Sequence, residues 1–456
     1  MTRQKLFHIS DKELFFLSWP IFIEFFLRVI IGNLNVWMIS HYSEPAVASL
    51  GAANQLLNLS IFVYGFVTVG TQIIIAQLIG AKKQPEIEQV INTALIGAAG
   101  VGLLISFAFL CFSGPLLRMM NLEPNLIAIG KIYLQIYGGS LVISALSAVI
   151  IAILRTHGFT QPALLIPMVA SILAVIGNYF ALYSPFGLPN FGVAGIAWSS
   201  VIGNLIGLFI ALFLLKKYLH FPIQQVKLSH FSAKRMRQIL TYGLPSSGES
   251  LSYQGAQVAV TMIVASLGAS VLIAKSYITA ISQFVYLIAA AISQGNQIMI
   301  GRSVGAGEFQ IAYRRGMRST IIGVLTSVII CCFTYAFIEP IMTIFTSNPE
   351  VIAIAKEVFL VEILLEAVRS INMILVGSLN ASGDVKFPLL CSLIVLWLIS
   401  LPFSYTLAIK FGFGLVGVWI AYALDELLRS CLMIYRWRSG VWQSKAMVHK
   451  EETLVG

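Results

Sequence analysis

The chain has 456 residues, of which 58% are hydrophobic and 11% are charged. Soluble domains average about 25% charged residues, so this composition and a mean hydropathy of +0.88 exclude a large soluble domain and a polar disordered chain. No basic segment is interleaved with aromatic residues, so we expect no nucleic-acid partner and assign the net charge of +10 to the cytoplasmic loops of a membrane protein.

Hydropathy predicts twelve membrane-spanning helices, because one span takes ~20 apolar residues. In chain order, the predicted spans are 14–41, 46–79, 89–112, 126–154, 162–183, 193–215, 239–267, 271–301, 317–345, 353–380, 387–409 and 414–435. Spans 4 and 10 are the least apolar of these. The polar start of the chain is too long for a cleavable signal peptide, and we expect it to be a cytoplasmic lead-in.

The distribution of basic residues between successive loops predicts the orientation in the membrane. Most of the 29 Lys and Arg residues fall in loops on the same side as the N-terminus, including Lys82, Lys83, Arg314 and Arg315. Since basic loops stay in the cytoplasm, we expect a multi-pass protein of the cell (inner) membrane with both termini cytoplasmic.

An internal repeat is the strongest feature of the sequence. A shift of 225 residues superimposes landmarks without a gap for more than a hundred positions, pairing Pro20 with Pro245 and Glu24 with Glu249. The same shift pairs Gln72 with Gln297, Gly80-Ala81 with Gly305-Ala306, Pro124 with Pro349, Lys131 with Lys356 and Gly158 with Gly383. Repeats of this kind are typical of transporters that work by alternating access.

The predicted fold is therefore all-α and integral to the membrane, with two pseudo-symmetric lobes of six helices each. We expect an N-lobe over 1–215, a cytoplasmic interlobe linker over 216–238, a C-lobe over 239–437 and a cytoplasmic tail over 438–456. Six is an even number, so both halves insert in the same orientation, related by an axis along the membrane normal.

At this point the sequence resembles the multidrug and toxic compound extrusion (MATE) family over roughly 12–437. The resemblance rests on the repeat and on four local matches: SWPIF with GLPSS, AQLIGAKKQ with GRSVGAGEF, GLPNFGVAGIAW with FGFGLVGVW, and VGSLNASGDVKFP. It implies a twelve-helix monomer, in contact with membrane lipids, that exports amphiphilic or cationic small molecules against inward H⁺ or Na⁺. The alternative within the same superfamily is a flippase for a lipid-linked precursor.

The sequence departs from the family pattern at its usual acidic positions. Members commonly carry an Asp fifteen residues after the span 1 proline, where this chain has Asn35. The span 5 Asn of the family matches Asn178, but the acidic residue often found one turn later is Leu182. Arg369 stands where many members have an Asp in span 10. Any ion coupling must therefore use other carboxylates.

Ionisable residues inside spans are the candidates for that coupling, because their insertion costs ~2.5–3.5 kcal/mol each. Glu24 and Arg28 lie on one face of span 1, either as a coupling carboxylate with its tuning partner or as a static pair. Glu249 is the repeat mate of Glu24 and has no basic residue four positions along, so we expect Arg369 to be its partner, with Glu366 beside them.

Asp425 in span 12 completes the coupling candidates, although Arg429 four residues later can neutralise it locally. A cleft for amphiphilic substrates needs aromatic and polar side chains. The candidates are Tyr253, Gln254, Gln257, Gln283, Tyr137, Asn178 and Asn35. Each of them can equally be a polar contact between helices.

The chain is expected to be neither an enzyme nor a metalloprotein. No HExxH, GxSxG or GxxxxGK[ST] motif is present, so metalloprotease, serine hydrolase and ATP-driven pump are all disfavoured. The five cysteines and six histidines have no metal-ligand spacing. We expect no cofactor other than the coupling ion.

Overall fold

The computed structural model describes residues 3–120, 122–183, 189–222 and 226–447, with side chains from residue 11 onward. Within these ranges the chain forms helices joined by short loops, and no strand occurs. The all-α prediction is confirmed. Part of the predicted tail, from residue 448 onward, lies outside the described residues.

The first half of the chain contains seven α-helices within the described residues. They are α1 (Arg3–Ser40), α2 (Glu44–Gly80), α3 (Gln84–Met119), α4 (Pro124–Ile136), α5 (Leu141–Thr156), α6 (Thr160–Tyr183) and α7 (Gly192–Leu219). A single 3₁₀ turn, Gly138–Ser140, separates α4 from α5, so the two together form predicted span 4.

The second half contains eight α-helices within the described residues. They are α8 (Ala233–Ala265), α9 (Ala269–Gly305), α10 (Phe309–Ala336), α11 (Ile338–Phe345), α12 (Pro349–Ser382), α13 (Lys386–Ile394), α14 (Leu401–Tyr405) and α15 (Gly414–Arg438). Predicted span 9 corresponds to α10 with α11. Predicted span 11 corresponds to α13 and α14 with two π-helical stretches, Val395–Ser400 and Thr406–Lys410.

Nine of these helical stretches, within the described residues, are long and apolar enough to cross a membrane. The long helices outside that set are α8, α12 and α15, whose hydropathy is lowered by polar and charged residues such as Glu249, Arg369 and Asp425. The expectation that span 4 is among the least apolar is wrong, since α4 and α5 together reach a hydropathy of 2.2. Lys131 and Gln135 lie in α4, and the polar residues of α5 before Arg155 are Ser144 and Ser147.

The two halves repeat each other in local structure. Pro124 and Pro349 each occupy the first position of a helix, where the missing N–H is not needed. Gly158 and Gly383 each follow a helix in the left-handed region, with φ of 91° and 93°. The turn hydrogen bonds match as well, because the amides of Phe159 and Asp384 each donate at 2.9 Å to the carbonyl five residues earlier.

The helices group into two compact units. One consists of Met1–Phe22, Ala76–Lys82 and Pro245–Gly456, and is called unit 1 below. The other consists of Ile23–Ile75 and Lys83–Leu244, and is called unit 2. Each unit thus includes short segments from the other half of the sequence. The lobe boundaries given above stay a prediction.

One such segment, the end of α2, crosses α9 within unit 1 at two repeat-related glycines. A Cβ atom added to Gly80 would lie 1.9 Å from the carbonyl oxygen of Arg302, and one added to Gly305 would lie 1.9 Å from that of Gln77. These four positions exchange under the shift of 225, so the crossing has the two-fold symmetry of the repeat. Only glycine allows backbones this close.

Candidate functional site

The densest buried charge of the described residues lies in unit 1, on α12 and α15, two of the long helices that are not among the nine apolar stretches. Glu362, Glu366 and Arg369 project from α12, and Asp425, Glu426 and Arg429 project from α15. These six residues are called the charged cluster below. The five other than Arg369 are at most 3% exposed. Charges this deep are stable only when they are paired and hydrogen-bonded.

Arg429 binds two carboxylates of its own helix. Its guanidinium donates to Asp425 at 2.7 and 3.2 Å and to Glu426 Oε1 at 2.7 Å. The spacings of three and four residues place all three side chains on one face of α15. This confirms the expected local pair of Asp425 with Arg429, but Glu426 shares the same cation.

Arg369 joins the two helices of the cluster. It forms an ion pair with Glu366, one turn earlier on α12, and lies 4.0 Å from Glu362 Oε1 and 3.9 Å from Glu426 Oε1. The cluster still has unused capacity, because Glu366 Oε2 and Arg369 Nε are buried without a hydrogen-bond partner. Unpaired buried polar atoms are costly and mark places where a proton, water or ion can bind.

Neutral side chains hold the carboxylates of the cluster in position. The indole N–H of Trp419 donates to Glu362 Oε2 at 2.6 Å, and Asn372 Nδ2 donates to Glu426 Oε2 at 2.9 Å. Because each donor comes from the opposite helix, these bonds fix α12 against α15. They also leave Asn372 Oδ1 buried without a partner beside the cluster.

The expected ion pair between Glu249 and Arg369 does not form in this structure. Glu249, on α8, accepts a hydrogen bond from Ser392 Oγ at 3.1 Å instead. Carboxylates of α12 and α15 already surround Arg369, so its positive charge is balanced without Glu249. The charged groups that interact electrostatically with Glu249 are both on α15: the cation Arg429, which attracts its negative charge, and the anion Glu426, which repels it.

A small pocket borders the charged cluster. Its wall includes Tyr253 and Gln257 from α8, Arg369 from α12, and Tyr422 and Glu426 from α15. Leu396 and Ser400, from the first π-helical stretch, also line it. Single π turns within helices often occur at functional sites. Polar, aromatic and charged side chains therefore meet in one place within unit 1.

Two of the predicted cleft residues belong to this pocket and two others do not. The Arg429 guanidinium lies over the Tyr253 ring, with its Cζ 6.0 Å from the ring centre. Gln257 accepts a hydrogen bond from the Tyr422 hydroxyl at 2.7 Å. Gln254 and Gln283 are exposed side chains outside the pocket wall.

The buried carboxylate of unit 2 is Glu24, and its surroundings are different. Arg28 donates to Glu24 Oε1 at 3.2 Å, and Arg155 of α5 forms an ion pair with Oε2. The predicted pair with Arg28 is present, but the partner from α5 was not foreseen. Predicted span 4 ends one residue before Arg155, which therefore counted as a loop cation.

The other predicted residues of unit 2 form neutral contacts. Asn178 Nδ2 donates to Asn35 Oδ1 at 3.1 Å, and Asn178 Oδ1 is buried without a partner. Tyr137 accepts a hydrogen bond from Asn204 at 3.4 Å. Unit 2 thus brings the two cleft candidates Asn35 and Asn178 into contact with each other, and keeps Tyr137 in a separate contact.

Sequence analysis placed Glu362 and Asn372 in no functional group. Their spacing contains a usable signal, because Glu362, Glu366 and Arg369 follow each other at intervals of four and three residues on one helix face. In the described part of the chain, no group of three or more His, Cys, Asp or Glu side chains could hold a metal ion.

The fold and these buried charges define a polytopic helical membrane protein built from an internal repeat. The family description MatE matches residues 20–180 and 245–406, one match in each half. The uncharacterized transporter YisQ of Bacillus subtilis (strain 168) is 38% identical over 444 residues, covering 96% of this chain and 97% of that protein. The chain belongs to the MatE family, whose members are transporters and not enzymes.

More distant relatives agree. The probable multidrug resistance protein NorM of Thermotoga maritima is 25% identical over 442 residues, covering 96% of this chain and 95% of NorM. A crystal structure of MATE in the bent conformation superimposes with a TM-score of 0.86 at 18% identity, covering 94% of this chain and 95% of the other. At that identity the likeness concerns the fold alone.

Proposed function

We propose that the protein is a secondary active multidrug exporter of the cell membrane. It exchanges amphiphilic or cationic organic compounds for inward-moving H⁺ or Na⁺ by alternating access of its two repeat halves. Membership of the MatE family and likeness to NorM proteins support the export of small organic compounds. In this proposal the protein acts as a monomer, contacts membrane lipids, binds no nucleic acid and has both termini in the cytoplasm.

The observation that carries the coupling is an excess of carboxylates in unit 1. Glu362, Glu366, Asp425 and Glu426 share two cations, Arg369 and Arg429. Glu249 adds a fifth carboxyl group within electrostatic range of the same residues. A buried site cannot keep so many negative charges on two guanidinium groups. Protons or a bound cation must therefore make up the difference, and their exchange is the step that couples to transport.

Within this excess, we assign the coupling to Glu249, Glu366 and Asp425, with Arg369 as the cation that holds Glu366 and Arg429 as the cation that holds Asp425. Glu249 has a single hydrogen bond from a neutral hydroxyl, and Glu366 has an oxygen without a partner. Glu249 therefore has no direct ion pair to lose, and the free Oε2 of Glu366 can take a proton or cation while its Oε1 stays hydrogen-bonded to Arg369. Glu24 is a weaker coupling candidate, because a proton there would break contacts with Arg28 and Arg155.

The test is efflux of a fluorescent organic cation from proteoliposomes under an imposed pH gradient or an imposed Na⁺ gradient. We expect one of the two gradients to drive export. The variants Glu249→Gln and Glu366→Gln should each reduce gradient-driven export at least tenfold. The matched control is Glu339→Gln, which removes an exposed carboxylate on α11 and should leave export unchanged. Gradient-driven export that survives both substitutions would contradict the assignment.

A further inference from the structure

The charges that meet between helices in unit 2 have the opposite balance from the charged cluster of unit 1. Among its described side chains, Glu24 is the only carboxylate within a helix interior, since Glu44, Glu86 and Glu123 stand at or next to helix starts and Glu88 follows in the second turn of α3. Glu24 contacts two cations, Arg28 and Arg155. One positive charge is therefore left without a carboxylate of its own.

That charge is most available on Arg28. The Arg155 side chain is 11% exposed, whereas the Arg28 side chain is 64% exposed. Arg28 makes one hydrogen bond, at 3.2 Å to Glu24 Oε1, although a guanidinium carries five donors. A guanidinium facing hydrocarbon is costly, so such residues almost always face the helix bundle or a water-filled space.

Arg28 also lies far from either end of its helix. Twelve residues separate it from Ser40 at the end of α1, which corresponds to ~18 Å of helical rise. Its neighbour two turns further along the same face is Asn35, which is hydrogen-bonded to Asn178 and carries no charge. Among the described side chains of that face, Glu24 is the carboxylate that competes with an added anion for Arg28, and it accepts one hydrogen bond from the guanidinium. Tyr64 of α2, which is buried, interacts electrostatically with Arg28.

We propose that Arg28 binds the anionic group of an amphiphilic substrate, so that unit 2 contains a subsite for carboxylate-, sulfonate- or phosphate-bearing compounds. The proposal rests on the proposed export function and deepens it. Planar guanidinium donors match the oxygens of these groups in geometry and charge. The buried Asn178 Oδ1, which has no partner, offers an acceptor for an N–H or O–H group elsewhere on the same compound.

The test is binding to the purified full-length protein, measured by fluorescence polarisation in nonionic detergent. Rhodamine B and its ethyl ester share one aromatic frame and differ by a carboxylate. We expect Arg28→Gln to weaken rhodamine B binding at least tenfold, equivalent to about 1.4 kcal/mol, and to leave ester binding within twofold. Arg28→Lys should retain most of the affinity. Arg118→Gln, at an exposed arginine in the last turn of α3, should change neither probe.

Equal losses for both probes in Arg28→Gln, or no loss for either, would overturn the proposal. Should Arg28→Gln fail to fold, Glu24→Gln gives a test of opposite sign. Removing the competing carboxylate should strengthen rhodamine B binding severalfold, whereas a purely structural role would weaken it. Weakened or unchanged rhodamine B binding in that variant also counts against the proposal.

Two further arms separate the sources of the anion and the two proposals. Displacement of rhodamine B by dihexanoyl phosphatidylglycerol, but not by the phosphatidylcholine analogue, identifies a lipid headgroup as an occupant. Absence of displacement by both assigns the subsite to soluble amphiphiles. Gradient-driven export of the ester tests the exporter function independently. If the protein exports nothing but shows the Arg28 selectivity, the subsite stands and the exporter function is refuted. If it exports the ester but shows no Arg28 selectivity, the exporter function stands and the subsite is refuted.

Discussion

Glu24 and Glu249 occupy equivalent positions in the repeat and have unlike surroundings. Glu24 contacts Arg28 and Arg155, and the shift of 225 turns these two residues into Tyr253 and Asn380. Glu249 therefore has no arginine at either equivalent position, and it accepts a hydrogen bond from the Ser392 hydroxyl instead. The backbone repeat has been kept while the charges around one shared carboxylate have diverged.

A second pair of equivalent positions shows the same divergence in the other direction. The last long helix of each half begins at a glycine with positive φ, Gly192 in α7 and Gly414 in α15, so that Asn204 corresponds to Glu426. Asn204 donates to Ser144 Oγ at 3.3 Å, and in unit 1 the equivalent contact joins Glu426 to Arg369 at 3.9 Å. One interhelical contact is neutral in unit 2 and ionic in unit 1.

The largest difference in stability is expected between variants that truncate the two equivalent residues, Glu426 in unit 1 and Asn204 in unit 2. Glu426→Ala removes a partner from both Arg369 and Arg429, and breaking a buried ion pair typically costs about 3–5 kcal/mol. Asn204→Ala removes neutral hydrogen bonds worth about 1 kcal/mol each. Thermal unfolding of the two variants in detergent checks this order. Similar losses of stability would show that the ionic version of the contact has no special importance.

The backbone part of the comparison could be predicted from the sequence and the charge pairing could not. The shift of 225 foresaw the equivalent prolines and the glycines Gly158 and Gly383, because helix starts and left-handed turns depend on local residue type. The partner of Arg369 depends on how close α15 comes to α12. Glu362 and Glu366 of α12 and Glu426 of α15 surround Arg369 in place of Glu249, and hydropathy carries no information on the distance between these helices.

The next largest effect is expected at Arg155. Arg155→Gln leaves Glu24 buried with one exposed cation, and we expect a loss of about 2–3 kcal/mol, below the full cost of an unpaired buried charge because Arg28 remains. Adding Glu24→Gln should recover part of that loss, since no buried charge is then left unpaired and the remaining Arg28 side chain is 64% exposed. The matched change in unit 1 is Asn380→Ala. A double variant less stable than Arg155→Gln alone would contradict the pairing.

Arg155 also shows why the site in unit 2 was only partly predictable. Its position just beyond the predicted end of span 4 is typical of a loop cation that sets membrane orientation. The structure ends α5 at Thr156 and buries Arg155 against Glu24 of α1. A boundary shift of two residues, within the usual uncertainty of helix ends, changes the residue from a loop cation into a site residue.

A smaller, functional difference is expected between the two repeated carboxylates. Glu249→Gln should flatten the dependence of export on the pH gradient about tenfold, because its neighbour Ser392 cannot replace a titrating group. Glu24→Gln should change the same dependence by less than about threefold, since Glu24 serves two arginines. Initial efflux rates at several imposed pH gradients, each pH unit supplying about 1.4 kcal/mol per proton, measure the effect of both substitutions. A larger effect at Glu24 would reverse the assignment of the coupling half.

The smallest effect is expected at a third repeated position, which lies outside the buried sites. Lys356 of α12 donates to Glu339 of α11 at 2.6 Å. The shift of 225 pairs Lys356 with Lys131 and Glu339 with Gly114, so the other half has no carboxylate at the equivalent position. The hydrogen bond from Lys356 lowers the pKa of the Glu339 carboxyl. A carboxyl group whose pKa is lowered in the folded state stabilises the protein at pH values above its ordinary pKa. That stabilisation is lost as the pH falls through the lowered pKa. Because both side chains are exposed, water screens the pair.

We therefore expect Lys356→Gln and Lys131→Gln to have the same thermal midpoint as the unmodified protein between pH 5 and 8, and the same gradient-driven export. The pair in one half and its absence in the other would then be without consequence, unlike the differences around Glu24 and Glu249. A fall in the midpoint for Lys356→Gln alone would mean that the loop between α10 and α12 needs this contact. The divergence of the halves would then extend beyond their buried charges to the way each half is held together at its outer edge.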